Sequence, residues 1–241
     1  MELDDRMKSY ENVNRQYLSR RLPVIIRLDG KSFHTFTQGL VKPWDHHLKV
    51  CMLYAAEKLC ENIMGAKIAY WQSDEISILV TDYDALNTDP WFNKCIQKMV
   101  SISSSIATAY FNDMHQKILK THVDYRKLAL FDSRAFILPP NEVCNYFLWR
   151  QRDATKNSIN MLSQSLFSHK ELHGLSCDQL QEKLFTEKGV NWNDIETWKK
   201  RGACIVNRFG RWGTDDEIPI FSKDRDYINK LVYLEGDKTF S

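Results

Sequence analysis

The chain has 241 residues, of which 43% are hydrophobic and 27% are charged, with 33 lysines and arginines against 31 acids. Because it contains only 9 glycines and 6 prolines, the composition excludes collagen-like and low-complexity chains and indicates a globular protein with a sizeable core. The longest apolar run, residues 50–56, is far shorter than the roughly 20 residues that span a bilayer. The acidic start MELDDRMKSY is unlike a signal peptide, so we expect a cytoplasmic protein with no membrane partner.

Cysteines and basic residues give two further expectations. The six cysteines include no C-x-x-C pair, and a chain of this length needs no disulfide bonds, so we expect reduced, mostly buried thiols. Between Thr197 and Thr214 there are cations but no acid, which fits either a solvated basic face or a contact with phosphates of a nucleic acid. These cations are Lys199, Lys200, Arg201, Arg208 and Arg211.

The first predicted elements are a helix, a strand and a second helix. Residues 4–20 have the polar, amphipathic pattern of a helix. The β-branched run at residues 23–29 ends at Gly30, which predicts a buried strand followed by a loop. Apolar residues recur every three to four positions over residues 44–64, and this spacing predicts a helix packed along one face.

A hairpin, a helix and a strand follow in the chain. Residues 66–71 and 76–80 are strand-like, and the four polar residues between them are typical of a hairpin tip. Residues 91–119 predict a second long helix, and residues 127–138 predict a fourth strand that ends at two prolines. The order βαββαβ predicts an α+β fold of the ferredoxin-like or polymerase palm type, with helices on an antiparallel sheet.

The last third of the chain is predicted to be mainly helical. We expect a palm-like domain in residues 1–138 and an extension in residues 139–241 that packs on it. The extension is predicted to contain helices at residues 141–167 and 176–188 and short strands at residues 203–208 and 218–221.

This topology brings two acidic positions together. In a split βαβ unit the first two strands run parallel and the third lies between them, so the end of the first strand and the hairpin tip share one sheet edge. Asp29 ends the first strand, whereas Asp74 and Glu75 occupy the tip. These carboxylates suit two Mg²⁺ ions and polymerase-type chemistry, because Mg²⁺ prefers hard oxygen ligands. Acids at strand ends are also common in solvated turns.

The loop after Asp29 favours the metal interpretation. Gly30 opens a turn with the sequence GKSFH at residues 30–34, in which backbone N–H groups can approach phosphate oxygens. The string lacks the longer glycine-rich loop of a Walker motif, so a P-loop fold is disfavoured.

Six separated segments form a recognisable series. They are RLDGKSFHTF at 27–36, KPWD at 42–45, YWQSDEISILV at 70–80, FDSRAF at 131–136, YFLWRQRDA at 146–154 and KRGACIV at 200–206. In order and spacing they resemble the tRNA-His guanylyltransferase superfamily, and several motifs in order are more specific than any one alone. The resemblance implies a catalytic palm domain that adds nucleotides to RNA 5′ ends in the 3′-to-5′ direction with two Mg²⁺ ions.

The resemblance also implies roles for individual residues. Asp29, Asp74 and the Gly30 carbonyl would bind the metal, with Glu75 as a supporting catalytic acid. The implied nucleotide-binding residues are Gly30, Lys31, Ser32, Phe33, His34, Lys42, Asp45 and Ser73. The implied phosphate or RNA contacts are Arg27, Arg134, Arg150, Asp153, Asn157, Lys199, Lys200, Arg201 and Arg208.

One segment departs from the family pattern. Eukaryotic members that add a guanosine to tRNA-His carry the string H-I-N-N-x-Y-N, where this chain has TKNSINM at residues 155–161. The segment is similar instead to bacterial and archaeal guanylyltransferase-like proteins, which repair 5′-truncated tRNAs by adding nucleotides that pair with the opposite strand. The resemblance therefore implies template-dependent tRNA repair.

The implied reaction uses ATP and GTP or another nucleoside triphosphate as substrates. ATP adenylylates a 5′-monophosphorylated tRNA, and the 3′-hydroxyl of an incoming NTP then displaces AMP. The resemblance further implies a homotetramer. On the residues alone, two other functions stay open, namely a palm-type nucleotide cyclase with the same metal pair and a non-catalytic RNA-binding module.

Overall fold

The computed structural model describes residues 1–119 and 128–233 of the chain. Its strands are β1 (Val24–Gly30), β2 (Ala66–Gln72), β3 (Glu75–Val80), β4 (Phe131–Ile137), β5 (Ala203–Arg208) and β6 (Arg211–Asp215). Its longer helices are α1 (Leu3–Asn12), α3 (His46–Asn62), α4 (Ile96–Leu119), α5 (Pro140–Leu166) and α7 (Cys177–Lys188). Short helical segments are α2 (Phe33–Phe36), α6 (His169–Leu172), α8 (Thr197–Arg201) and α9 (Asp226–Asn229).

The strands form one sheet in the order β4-β1-β3-β2-β5-β6. Every neighbouring pair is antiparallel, and β3 lies between β1 and β2, so β1 and β2 run parallel to each other. This is the arrangement that a split βαβ unit requires. The predicted α+β palm-type fold, with its βαββαβ order, is therefore confirmed.

The chain after residue 138 continues the same sheet. β5 pairs with β2 and β6 pairs with β5, so the boundary predicted between residues 138 and 139 does not separate two sheets. The strand predicted at residues 218–221 is wrong, because Ile218 and Phe221 are buried as loop residues against α5. β6 was missed, since RWGTD has no apolar alternation. Residue 127 of the predicted fourth strand and residues 234–241 of the extension lie outside the described residues.

The helix predicted over residues 4–20 is too long. α1 ends at Asn12, and residues 16–18 instead pair with residues 94–96 through backbone hydrogen bonds. The Leu18 N–H and the Gln16 carbonyl are therefore satisfied by a distant part of the chain, which an amphipathic pattern does not reveal. The other long helices begin and end near their predicted bounds, except that residues 91–94 form a 3₁₀ turn before α4.

Helices cover both faces of the sheet. Ile26 and Leu28 of β1 pack in one cluster with α3 and α4, whereas Ile25 packs in a second cluster with α5. Because successive side chains of a strand point to opposite faces, Arg27 and Asp29 lie on the same face as Ile25. Asp29 therefore lies on the face of the sheet that α5 covers.

All six cysteines are free, five of them are buried and Cys177 is half-buried, which confirms the expected thiols. Within the two described ranges, no helix has the length and apolar character needed to cross a bilayer.

Asn112 on α4 anchors the chain just before β4. Its side-chain Nδ2 donates to the Ala129 carbonyl at 2.8 Å, and its Oδ1 accepts from the Ala129 N–H at 2.9 Å. The next carbonyl, that of Leu130, accepts from the N–H of Lys31 at 2.8 Å. This side chain therefore helps to position the loop that follows β1.

Replacing Asn112 with alanine is expected to lower the free energy of unfolding by about 2–3 kcal/mol, because the buried backbone groups of Ala129 lose their partners. Denaturant unfolding measures the change. Asn62→Ala is the control, since its exposed amide donates only to Lys58 within its own helix, and the expected change is below about 0.5 kcal/mol. Equal losses in the two variants would contradict the anchoring role.

Candidate active site

The ends of β1 and β3 bring the predicted carboxylates together. Asp29 lies opposite Glu75 in the β1–β3 register, and the Gly30 N–H donates to the Asp74 carbonyl at 3.1 Å. Asp132 of β4 lies opposite Asp29 on its other side. Asp29 and Asp74 are both half-buried, so their side chains remain open to a ligand.

The two aspartates repel each other. Burial and, after it, the charge of Asp29 raise the pKa of Asp74 above its ordinary value of 3.8. Within residues 1–119 and 128–233, no lysine, arginine or histidine forms an ion pair with either carboxylate. An uncompensated pair of hard oxygen donors fits a divalent cation such as Mg²⁺.

Side chains alone would not complete a metal site here. Among the described residues, no group of three or more His, Cys, Asp or Glu side chains surrounds a possible metal position. Mg²⁺ usually takes one or two carboxylates and fills its other positions with water and phosphate oxygens. Asp29 and Asp74, with a backbone carbonyl such as that of Gly30, therefore suit an ion that binds together with a phosphorylated substrate.

Glu75 is not a free acid but the centre of a buried ion-pair network. Arg150 donates to it twice, from Nε to Oε1 at 2.7 Å and from Nη2 to Oε2 at 2.8 Å. Arg27 Nη2 lies 2.7 Å from Oε2, and the Ser77 hydroxyl donates to Oε1 at 3.3 Å. Because its oxygens are occupied by two guanidinium groups, Glu75 supports the site as a charge partner and not as a metal ligand.

The same network corrects the expectation for Arg150. The residue is 5% exposed, and its Nη2 also donates to Asp153 at 2.9 Å, so it is not positioned to contact a phosphate. Asp153 is likewise held by this bond. Arg27 keeps some exposure, with 19% of its side chain accessible. Arg134 is exposed on β4 and pairs with Asp132 at 3.0 Å.

The loop after β1 has an anchored ring and an open backbone. Phe33 is 4% exposed and packs against Phe111 and Phe131, so its ring belongs to the core and only its backbone faces a ligand. A Cβ at Gly30 would lie 2.3 Å from this ring, which explains why glycine occupies that position. Lys31, Ser32 and His34 are exposed.

Backbone donors of this loop are available to a ligand. The N–H groups of Ser32, Phe33 and His34 donate to no described residue, although the N–H groups of Thr35 and Phe36 both bond to the Ser32 carbonyl. Consecutive free N–H groups in a turn are a common binding site for phosphate oxygens. The loop therefore retains the phosphate-binding potential that its sequence predicts, through backbone and not through the Phe33 ring.

A cleft rich in tryptophan lies next to the hairpin tip. The Trp71 and Trp198 rings stack at 6.1 Å between centroids, and Lys49 Nζ lies 4.5 Å from the Trp198 ring centroid. Flat aromatic walls with a few polar groups suit a nucleobase. Four of the lining residues are predicted site residues, namely Asp45, Ser73, Asn157 and Lys199. Four others are not among the predicted site residues, namely Trp44, Lys49, Trp71 and Trp198.

The predicted K-P-x-D residues take different positions. Asp45 caps α3, accepting from the N–H groups of Leu48 at 2.9 Å and Val41 at 3.0 Å, and it lines the cleft. Lys42 is exposed outside the cleft lining. The position of Trp44 within the K-P-x-D string is the sequence signal that points to it as a cleft residue. Trp71 and Trp198 line the same cleft because β2 and α8 are neighbours in the fold.

The predicted basic cluster divides into two parts. Lys199 pairs with Glu196, Lys200 donates to the Asn193 carbonyl at 2.6 Å, and Arg201 donates to the Ile218 carbonyl at 3.1 Å. These cations therefore help to hold the segment around α8. Arg208, by contrast, has a side chain that is 64% exposed at the far end of β5.

Comparison with known proteins gives a family match. A family model described as "Thg1: tRNAHis guanylyltransferase" matches residues 4–139. A tRNA(His) guanylyltransferase of Debaryomyces hansenii is 27% identical over 229 residues, covering 88% of this chain and 83% of the relative. A Saccharomyces cerevisiae protein with the same description is 27% identical over 203 residues, covering 77% of this chain and 82% of the relative.

Solved structures are similar over nearly the whole chain. A bacterial tRNA(His) guanylyltransferase (Thg1)-like protein in complex with ATP is 51% identical, with a TM-score of 0.92 and coverage of 97% of this chain and 100% of that one. A structure with the same description, in complex with GTP, is 47% identical with a TM-score of 0.85, covering 96% of this chain and 99% of that one. The tRNA(His) guanylyltransferase of S. cerevisiae shares the fold, at 22% identity and a TM-score of 0.74 over 90% and 98%.

Replacing Asp74 with asparagine is expected to raise the melting temperature at pH 7 by roughly 2 °C or more, because it removes a charge that burial and, after it, repulsion from Asp29 disfavour. The pKa of Asp74 is raised in the folded state, so ionisation opposes folding. The stability advantage of the variant should be absent below pH 3.8, grow through the interval up to the raised folded-state pKa, and then stay constant.

The same melting experiment includes Mg²⁺ as a probe. The ion should raise the melting temperature of the unmodified protein, since binding only to the folded state stabilises it, and should not do so for Asp74→Asn. A variant that is less stable than the unmodified protein at pH 7 would contradict the unfavourable ionisation of Asp74 in the folded state.

Arg150→Met is expected to cost about 3–5 kcal/mol of folding free energy, because Glu75 loses its bidentate partner in a buried position. Denaturant unfolding measures the loss. The matched control is Arg152→Met on the exposed face of the same helix, with an expected change below about 0.5 kcal/mol. A loss at Arg150 no larger than at Arg152 would rule out the network as a structural element.

Proposed function

Because the chain belongs to the tRNAHis guanylyltransferase family, we propose that it repairs tRNA by adding nucleotides to the 5′ end in the 3′-to-5′ direction. One observation carries the proposal, namely the approach of Asp29 and Asp74 at one sheet edge beside a loop with free backbone N–H groups. A pair of carboxylates next to phosphate donors is what nucleotidyl transfer needs.

Each part of the site has a proposed task. Asp29, Asp74 and the Gly30 carbonyl would hold two Mg²⁺ ions, which when bound neutralise phosphate charge and activate an attacking hydroxyl. The N–H groups of residues 32–34 would bind a triphosphate, with Lys31 adding positive charge. Arg150 and Glu75 would keep the hairpin tip, and thus Asp74, in a constant position relative to α5.

The tryptophan cleft is the proposed binding site for the base of a nucleotide. The similar bacterial proteins were solved in complex with ATP and with GTP, which supports a purine nucleotide as its ligand. Trp198 would contact the flat face of the base, backed by the buried Trp71 ring on which it stacks, while Ser73 lies between the cleft and Asp74 in the chain. The proposed base pocket would then adjoin the paired carboxylates at the hairpin tip.

We assign the reaction two stages at this site. An oxygen of the tRNA 5′-monophosphate attacks the α-phosphorus of ATP, and pyrophosphate leaves. The 3′-hydroxyl of an incoming NTP then attacks the 5′-phosphorus, and AMP leaves. Neither stage needs a protein nucleophile, since positioning and charge neutralisation supply most of the acceleration.

Choice of the added base would come from the RNA template. Asn157, Ser158 and Met161, which belong to the segment that departs from the eukaryotic string, line the tryptophan cleft. The Ser158 hydroxyl is held by a hydrogen bond from Trp192 Nε1 at 3.0 Å. We propose that these residues accept a nucleotide without reading it as guanine, so that pairing decides the base. The proposal includes a cytoplasmic homotetramer, as family membership suggests.

The test uses a tRNA transcript that lacks its first nucleotide and carries a 5′-monophosphate, incubated with Mg²⁺, ATP and one labelled NTP at a time. We expect extension at the 5′ end by the nucleotide complementary to the opposite base, and adenylylated tRNA when the NTP is omitted. Asp29→Asn and Asp74→Asn should each reduce extension by about 100-fold or more. Asp113→Asn, on the exposed surface of α4, should retain full activity.

Three outcomes would contradict the proposal. Addition of guanosine whatever the opposite base would refute templating. A cyclic nucleotide formed without RNA would indicate a cyclase. Binding of tRNA without any product would indicate an RNA-binding module.

A further inference from the structure

The hairpin between β5 and β6 ends in an unusual turn. Arg208 and Arg211 pair across the hairpin, and the two residues between them, Phe209 and Gly210, have φ values of 54° and 82°. A two-residue turn with positive φ at both positions is of the type I′ class, which favours asparagine followed by glycine. A bulky side chain in the first position is conformationally disfavoured, so Phe209 is not there to form the turn.

Phe209 does not contribute to the core either. Its relative exposure is 106%, the highest among the large hydrophobic residues of the described ranges, so the ring projects entirely into solvent. The turn itself is supported by another contact, since the Gly210 N–H donates to Asn207 Oδ1 at 2.9 Å. A strained backbone and an unburied ring together indicate a role in binding something outside the chain.

Two arginines flank the projecting ring in the chain. Arg208 has a side chain that is 64% exposed and lies 3.3 Å from Asp215, and Arg211 is exposed without an ion pair to any described acid. The base of the hairpin borders a cavity of about 410 Å³, lined in part by Asp215, by Lys230 and by Lys67, which pairs with Asp84 at 2.6 Å. Phosphates on either side of a base would therefore meet positive charge at the tip.

We propose that this tip, residues 208–211, is a second RNA contact, in which Phe209 stacks on an unpaired base of the bound tRNA and Arg208 and Arg211 bind flanking phosphates. The inference rests on the proposed function, which supplies tRNA as the partner. Stacking on an aromatic ring suits an unpaired base because both of its faces can be reached, and it needs no particular sequence.

The position of the tip relative to the catalytic edge fits this role. β5 begins at Ala203, opposite Trp71 of the tryptophan cleft, and runs away from the hairpin that carries Asp74. At about 3.3 Å per residue, the end of β5 lies roughly 17 Å from its start. A tRNA whose 5′ end lies at Asp29 can therefore contact the tip with a nearby single-stranded segment.

A second copy of this chain is the other possible occupant of the tip. An exposed ring alone would suit a subunit contact equally well. The exposed arginine on each side of Phe209 favours RNA, because bringing two copies of this tip to one interface would also bring like charges together. We therefore keep assembly as an outcome of the test.

The test replaces Phe209 with asparagine, which the turn prefers, so that loss of the RNA contact is measured without destabilising the turn. Phe209→Asn should have an unchanged or higher melting temperature, since Asn-Gly suits a type I′ turn. Its Kd for a fluorescent tRNA transcript lacking the 5′ nucleotide should rise by about tenfold. The KM for that tRNA should rise similarly, with kcat unchanged at saturation. Arg211→Ala should weaken tRNA binding and should reduce the slope of log Kd against log salt concentration by about one.

The matched control is Phe185→Ala, which removes another exposed ring, 59% accessible, from α7. It should leave the Kd for tRNA unchanged. A Phe209→Asn variant that binds tRNA as the unmodified protein does would overturn the inference. So would a change of its oligomeric mass in light scattering, which would assign the tip to a subunit contact.

Failure of the proposed function would be recognised separately. If the unmodified protein adds no nucleotide but its tRNA affinity still falls on Phe209→Asn, the catalytic proposal fails and the RNA contact is supported. If 5′ addition proceeds while tRNA affinity and KM are insensitive to Phe209, the catalytic proposal stands and the RNA contact is refuted.

Discussion

The site depends on holding a partly buried carboxylate, that of Asp74, next to a second carboxylate, that of Asp29. Asp29 and Asp74 come from segments 45 residues apart and are held close enough for one to raise the pKa of the other. Nothing in their own chemistry favours that approach without a cation. The surrounding fold must supply the restraint, and it does so through the β1–β3 pairing and the hydrogen bond from Gly30 to the Asp74 carbonyl.

The buried network around Glu75 adds a second restraint. It joins β1, β3 and α5 through Arg27, Glu75 and Arg150, and with Asp153 its formal charges sum to zero. Burying ions is costly, but bidentate hydrogen bonds and balanced charge offset much of that cost. The benefit is positional, since the residue directly after Asp74 is tied to a helix on the other side of the site. Arg27 and Arg150, which the family resemblance implies as phosphate contacts, thus help to hold the carboxylates in position.

The site is divided between charge and aromatic surface. At the sheet edge, acids and backbone donors suit metal and phosphate, while the adjoining cleft offers tryptophan faces from β2 and α8. A nucleotide has the same division between a charged tail and a flat base. The β5–β6 hairpin also combines charge with an aromatic surface, because Phe209 lies between two arginines. This hairpin lies at the end of β5, whose first residue lies beside the cleft.

Local patterns in the sequence determined the βαββαβ order and, with it, the meeting of Asp29 and Asp74, because turn residues and hydrophobic spacing act over short distances. Other features depended on contacts between distant segments. β6 is a strand because β5 pairs with it, Phe33 is a core residue because α4 and β4 enclose it, and Arg150 is an ion-pair partner because α5 crosses Glu75. Burial and pairing of this kind follow from the packed chain as a whole, so only the tertiary structure decided them.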